Sequence, residues 1–141
     1  MGDNNDFSVD LDIESLRNAY SSLVKAFNIF SAGDDNKDIC DIYADSCIKR
    51  FEYTYETAWK TMKKYFKLQY NKREEELTMN NIFRYMESYG FAESWLRWKE
   101  YNTQRNNTAH EYNFQKARRL VQIIPEFLQD VKFILDKWDS L

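Results

Sequence analysis

The segment from residue 37 to residue 70 constrains the fold more than any other part of the chain. Its apolar side chains recur at three- and four-residue intervals, the spacing of one face of an α-helix. They are Ile39, Tyr43, Cys47, Phe51, Tyr55, Ala58, Trp59, Met62 and Phe66. The whole chain has only three glycines and one proline, which disfavours hairpin-rich β folds. The segment is therefore predicted to form one long helix.

The same spacing predicts a helix before this one and a short helix after it. The first begins near Asp10 or Asp12, either of which can cap it, and ends in the polar turn at residues 32–36. The short third helix follows the N-cap candidate Thr78 and is closed by Gly90 in a left-handed conformation. Residues 1–9 are polar and acidic, and they are expected to form a flexible tail.

Two more helices are predicted in the last third of the chain. The fourth starts near Glu93 and runs towards residue 105, and Asn113 can cap the fifth. Pro125 lacks a backbone donor, so it is expected to kink or divide the fifth helix. The prediction is an all-α, five-helix up-and-down bundle with a kinked last helix, forming a single domain over residues 10–141.

The two cysteines indicate a reducing environment. In one helix, the Cα atoms of Cys40 and Cys47 would lie roughly 10 Å apart, too far for a disulfide between them. They are interpreted as buried free thiols. One histidine with two cysteines makes a zinc site improbable, so neither a metal nor a cofactor is expected. With no apolar run long enough for a signal peptide or a membrane span, a cytoplasmic location is expected.

Charge is distributed unevenly, although the formal net charge is only −3. Residues 1–48 carry three basic and ten acidic side chains, whereas residues 49–73 carry eight basic and two acidic ones. The second group includes four closely spaced lysines, which either form the solvated face of the long helix or contact phosphates: Lys60, Lys63, Lys64 and Lys67. Arg50 and Lys64 are the candidates for substrate binding here.

Two glutamates of the long helix also require an explanation. Glu52 and Glu56 are four residues apart on one helix face, where like charges repel unless a cation lies between them. Exposure to solvent is the alternative interpretation.

The most polar cluster is residues 105–112, Arg-Asn-Asn-Thr-Ala-His-Glu-Tyr, which contains the only histidine of the chain. Arg105 can bind a phosphate through two N–H donors, and His110 has the side chain best suited to proton transfer near neutral pH. The pair points to phosphodiester chemistry, and Asn106 can orient the substrate or His110. The alternative is a surface helix ending in a capped turn.

Two segments resemble a known family. Residues 47–63, CIKRFEYTYETAWKTMK, resemble the long-helix signature of the nucleotidyltransferase substrate-binding proteins, and residues 105–112 resemble the R-N-x-x-x-H-x-Y segment of the same family. This family overlaps the HepT-like toxins of the HEPN superfamily. The resemblance extends from about residue 11 to residue 139. The chain departs from it at Thr78 and Met79, where family members often have a proline before the short helix.

The resemblance implies a five-helix bundle that forms homodimers and has a minimal nucleotidyltransferase as its antitoxin partner. It implies metal-independent cleavage of RNA by the R-x-x-x-x-H residues, here Arg105 and His110. It also implies that the partner neutralises the toxin by adding a nucleotide to the motif tyrosine, here Tyr112. A non-catalytic substrate-binding subunit of a minimal nucleotidyltransferase is the alternative within the same family.

The chemistry of cleavage independently favours a dimer. Transesterification of RNA without a metal needs a base for the 2′-hydroxyl and an acid for the leaving 5′-oxygen, but one chain has one histidine. A two-fold dimer supplies two histidines and two arginines around one groove. In an unbroken helix Arg105 and His110 would point about 140° apart, so either the helix ends within residues 105–112 or the second subunit completes the site.

Overall fold

The computed structural model describes the backbone of residues 3–110 and 114–141 and the side chains of residues 8–108 and 116–141. These residues form five α-helices and no strand, which confirms the predicted all-α bundle. The helices are α1 (Asp3–Ala32), α2 (Lys37–Gln69), α3 (Met79–Ser88), α4 (Trp95–His110) and α5 (Phe114–Asp139). A single 3₁₀ turn (Glu74–Glu76) lies in the charged connector between α2 and α3.

Local signals set most of the helix ends. The side chain of Asn36 accepts a hydrogen bond from the Asp38 amide at the start of α2. At the start of α3, Thr78 is the N-cap, as predicted, and its side chain accepts from the Asn81 amide. Gly90 follows α3 with a φ of 85°, so its predicted left-handed conformation is confirmed.

The first helix begins earlier than the sequence indicated. It starts at Asp3 rather than near Asp10 or Asp12, so residues 3–9, expected in a flexible tail, belong to α1. Val9 is only 2% exposed, because the apolar face of α1 extends further towards the N-terminus than the pattern from Leu16 onward suggested.

The last helix is not divided. It runs from Phe114 to Asp139 with Pro125 inside it, so of the two expected effects of the proline, a kink or a division, the division does not occur. Pro125 is exposed, and its missing N–H leaves the carbonyl of Val121, four residues earlier, without its usual helical donor. A bend at this point stays a prediction.

The long helix α2 is the centre of the bundle, and it contacts each of the four other helices. Its Phe51 packs edge-on against Phe127 of α5, with ring centroids 4.6 Å apart. Phe127 in turn packs against Trp98 and Tyr101 of α4, at 5.8 Å and 5.0 Å. The aromatic residues of the predicted stripe therefore form the core that positions α4.

The cysteines lie near the start of α2 and are both free. Cys47 is fully buried, and burial raises the pKa of its thiol to about 11. Cys40 was also expected to be buried but is only half-buried, and its Sγ lies 3.2 Å from the carbonyl oxygen of Asp34.

Candidate functional site

The helix α4 carries both ends of the R-x-x-x-x-H pattern. The structure describes this helix as far as His110, and the backbone from Arg105 to His110 is helical throughout. Their Cα atoms are therefore about 140° apart around the helix axis. The predicted helix end within residues 105–112 stays a prediction, since residues 111–113 lie outside the described residues. The side chain of His110 and the whole of Tyr112 and Asn113 lie outside the described residues.

Arg105 lies between the two glutamates of α2. Its Nη1 is 3.2 Å from Glu52 Oε2, and its Nε is 3.5 Å from Glu56 Oε1. The three side chains are 24–31% exposed, so solvent screens them only partly. Arg105 is thus the cation that the four-residue spacing of the two carboxylates required.

Glu52 and Glu56 orient the guanidinium of Arg105, but they do not pair with all of its N–H donors. An arginine has five N–H donors, and Arg105 Nε is buried without a hydrogen-bond partner among the described residues. Its 3.5 Å contact with Glu56 is an ion pair rather than a well-formed hydrogen bond. Because Nε is closed to solvent, an anion can reach Arg105 only through the terminal Nη groups of a side chain that is 26% exposed.

Thr108 joins the same cluster one turn further along α4. Its hydroxyl lies 3.0 Å from the carbonyl oxygen of Arg105 and 3.4 Å from Glu52 Oε2, and the residue is 9% exposed. The sequence predicted local hydrogen bonds for Thr108, such as the one to Arg105, but not the contact with Glu52. The contact with Glu52 depends on which residue of α2 faces Thr108, and the sequence around Thr108 does not contain that information.

Tyr55 positions α4 just before Arg105. Its hydroxyl donates a 2.6 Å hydrogen bond to Asn102 Oδ1, and the residue is fully buried. Burial raises the pKa of Tyr55 well above its usual value, so the phenol stays protonated and remains a donor. The sequence placed Tyr55 in the apolar stripe, and a buried tyrosine hydroxyl usually finds a partner, but only the fold shows that it is Asn102.

Polar contacts of a buried aspartate connect α4 with α5. Asp130, 5% exposed, accepts two hydrogen bonds from Arg97, from Nε at 2.9 Å and from Nη2 at 2.7 Å. It also accepts from the Tyr101 hydroxyl. Burial and this hydrogen bond raise the pKa of Tyr101 far above its usual range. This contact was not predicted from the sequence, although an aspartate within the apolar stripe of α5 was a signal for it.

Arg50 and Lys64 lie on a different side of α2 from Arg105. Arg50 donates from Nε to Ser22 Oγ of α1 at 2.9 Å. Lys64 pairs with Asp12 Oδ2 of α1 at 3.0 Å and also contacts Ser8. Within one chain, the fold therefore does not bring these two candidates together with Arg105.

Asn106 is exposed on α4 and lies one helical turn before His110. This spacing allows the two residues to share a helix face.

The lysines of α2 pair with carboxylates. Lys63 and Lys67 lie 2.5 Å and 3.4 Å from the carboxylate of Glu74, and Lys60 lies 3.5 Å from that of Glu56. These ion pairs favour the interpretation of the lysine run as a solvated helix face rather than as an open phosphate-binding surface.

The described part of the chain contains neither a cluster of metal ligands nor a membrane-spanning helix. Among those residues, no group of three or more His, Cys, Asp or Glu side chains is arranged to hold a metal ion. None of the helices formed by them is both long and apolar enough to span a membrane.

The chain is similar to known proteins in sequence and in fold. Residues 11–140 match the family described as nucleotidyltransferase substrate binding protein like. A Haemophilus influenzae protein described as "Probable ribonuclease HepT" is 26% identical over 99 residues, which cover 69% of this chain and 68% of that protein.

A solved structure, also from Haemophilus influenzae, has a similar fold. It is described as revealing the fold of a substrate binding domain of a nucleotidyltransferase. It superposes with a TM-score of 0.78 at 25% identity and covers 89% of this chain and 97% of its own. Because the family match spans nearly the whole chain, the protein belongs to the nucleotidyltransferase substrate binding protein like family.

Proposed function

We propose that the protein is a HepT-like HEPN ribonuclease, the toxin of a toxin–antitoxin pair, which cleaves RNA in the cytoplasm without a metal. The observation that carries this proposal is the position of Arg105, held between Glu52 and Glu56 on the same helix as His110. Similarity to a protein described as a probable ribonuclease HepT supports it.

Arg105 is suited to hold the scissile phosphate. Its remaining N–H donors bind the phosphate oxygens, and its charge stabilises the negative charge that develops in the transition state. The two glutamates orient the guanidinium, which reduces the reorganisation needed when substrate binds.

Proton transfer falls to the histidines of a homodimer. One His110 removes the proton of the 2′-hydroxyl, which attacks the phosphorus, and the other donates a proton to the departing 5′-oxygen. The reaction leaves a 2′,3′-cyclic phosphate and a free 5′-hydroxyl. Asn106, one turn before His110, orients the imidazole or the substrate.

The proposed antitoxin is a minimal nucleotidyltransferase. Family membership supports this partner, because the family is described by its association with nucleotidyltransferases. The proposed inhibition is transfer of a nucleotide to Tyr112, two residues beyond His110, which places a bulky anion beside the two catalytic residues.

A second candidate function is that of a non-catalytic subunit that presents a substrate to the nucleotidyltransferase. The description of the similar solved structure, a substrate binding domain, favours it. In that case Arg105 binds a ligand phosphate, and no proton transfer by His110 is required.

Cleavage of single-stranded RNA by the purified protein, with and without EDTA, distinguishes these functions. We expect cleavage in both conditions, and we expect Arg105→Ala or His110→Ala to lower it by about 100-fold or more. Arg73→Ala is the matched control, since Arg73 is 71% exposed in the connector after α2. Copurification with the nucleotidyltransferase in the absence of any cleavage would favour the substrate-binding subunit instead.

A further inference from the structure

A recess lies between α1 and α2, away from Arg105. It has a volume of about 230 Å³ and is lined by Ser15, Asn18, Ala19, Ser22, Arg50 and Tyr53. Arg50 precedes Glu52 by two residues, or about 200° around α2, so the recess and the Arg105 cluster are on different sides of that helix. We call it the Arg50 recess.

Neutral groups hold Arg50 in place. Its Nε donates to Ser22 Oγ at 2.9 Å, and its Nη1 donates to Ser46 Oγ at 2.6 Å. These two bonds from α1 and α2 restrict the side chain, so little further rotamer entropy is lost when it binds a ligand.

Arg50 differs from other arginines of the bundle in the charge of its described neighbours. Among the side chains that the structure describes, no carboxylate lies within ion-pair distance of it. By contrast, Arg17, Arg73, Arg97 and Arg105 all pair with Asp or Glu. Serine hydroxyls orient a guanidinium but do not neutralise it, so Arg50 presents an ordered positive charge to the recess.

The size and the lining residues of the recess suit a ligand in which a small anionic group is attached to a ring. A volume of 230 Å³ is below the roughly 300 Å³ at which sites for drug-sized ligands begin, so it suits a single phosphate group. Ser15 and Asn18 add neutral hydrogen-bonding groups. Tyr53 lines the recess but is 60% exposed, which leaves its ring available for stacking.

We propose that the Arg50 recess binds one nucleotide of a single-stranded RNA, with the phosphate on Arg50 and the base stacked on Tyr53. A cation beside an exposed aromatic ring is the combination that binds single strands without sequence preference. The choice of RNA rests on the proposed ribonuclease function. The recess then holds a part of the RNA distant from the scissile phosphate at Arg105.

Binding of uncut RNA tests this proposal separately from cleavage. The probe is a fluorescein-labelled 12-mer of uridine, and its anisotropy is measured with His110→Ala protein so that the strand stays intact. In this background we expect Arg50→Gln to weaken binding about tenfold. We also expect the slope of log K against log salt to become shallower by about 0.7. Tyr53→Leu should weaken binding about fivefold or more through the lost stacking.

Arg73→Gln is the matched control, because it makes the same charge change at an exposed arginine in the connector. The recess is ruled out as an RNA site if Arg50→Gln weakens binding no more than Arg73→Gln does, or if Tyr53→Leu binds like its parent. Displacement of the 12-mer by uridine monophosphate but not by inorganic phosphate supports a nucleotide. Equal displacement by both overturns that assignment.

Two further measurements separate the recess from other effects. Arg50→Lys keeps the charge but not the two-pronged geometry, so it should bind with intermediate affinity, and circular dichroism melting checks that each variant is folded. If RNA binding depends on Arg50 but the wild-type protein does not cleave RNA, the ribonuclease function is wrong and the recess is still an RNA-binding site. Cleavage without Arg50-dependent binding argues against the recess alone.

Discussion

Arg105 Nη1 of α4 lies 3.2 Å from Glu52 Oε2 of α2. This contact joins the two separated segments on which the family resemblance rests, residues 47–63 and residues 105–112. Thr108 and Glu56 contribute further contacts between the same two segments. The two motifs therefore describe one cluster in space, and the glutamates of the long helix are part of the candidate site.

Glu52 should matter more for activity than for stability. We expect Glu52→Gln to lower the kcat of RNA cleavage by about 10- to 100-fold, because Arg105 loses the charge that orients it. Unfolding free energy should fall by only about 1 kcal/mol, since glutamine retains a hydrogen-bonding group. Glu56→Gln, with only the 3.5 Å contact, should have the smaller effect. Unchanged cleavage in Glu52→Gln would remove the positioning role.

The protein should form a homodimer with residues 105–110 at or beside the two-fold axis. At the end of the bundle where α2 and α5 begin, a groove of about 610 Å³ has Phe30, Ala44 and Val121 in its wall. Ile42 on α2 is 63% exposed. Analytical ultracentrifugation at micromolar concentration should give twice the 17.1 kDa of one chain.

Two substitutions test where the dimer interface lies. We place the exposed Ile42 in the dimer interface, so Ile42→Glu, which puts a charge there, should dissociate the dimer. Leu96→Glu is the control, since Leu96 is 59% exposed near the start of α4, far along that helix from His110. A monomeric wild type would eliminate the composite site.

Tyr112 should receive a nucleotide from the partner. When a base in the transferase removes its proton, the phenol oxygen attacks the α-phosphorus of a nucleoside triphosphate and pyrophosphate leaves. Coexpression with the nucleotidyltransferase, followed by mass mapping, should find the adduct on the peptide containing Tyr112. A Tyr112→Phe variant should stay active in the presence of the partner, whereas Tyr70→Phe, a change at an exposed tyrosine at the end of α2, should be neutralised like the wild type. An unmodified Tyr112 peptide would leave only steric inhibition by the partner.

Asp130 should be a main determinant of stability. It is 5% exposed and accepts hydrogen bonds from Arg97 and Tyr101, so Asp130→Asn leaves two donors poorly matched. Because Arg97 is 32% exposed and can regain water, we expect a loss of about 2–3 kcal/mol, below the usual range for a buried pair. Tyr101→Phe should cost about 1 kcal/mol. Urea denaturation measures the stability of both variants, and Gln129→Ala, a change at the exposed neighbouring residue, is the control. Equal denaturation midpoints for the three variants would contradict a stabilising role of Asp130.

Most of the helical architecture was determined by the sequence itself. The long helix was expected over residues 37–70 and occurs at Lys37–Gln69, and Thr78 and Gly90 bound α3 as predicted. These features depend on neighbours within one or two helical turns, so the pattern of side chains is sufficient to specify them. The start of α1 was missed because its first turns are mostly polar.

The partners of the site residues were decided only by the tertiary structure. The spacing of Glu52 and Glu56 indicated that a cation was needed, but not that Arg105 provides it. Arg50 and Lys64 were grouped with Arg105 by charge, yet both face α1. Which charged groups meet depends on the rotation and register of α4 and α1 against α2, and buried contacts such as Phe51 with Phe127 fix these. Such contacts join residues far apart in the chain, and no local pattern encodes them.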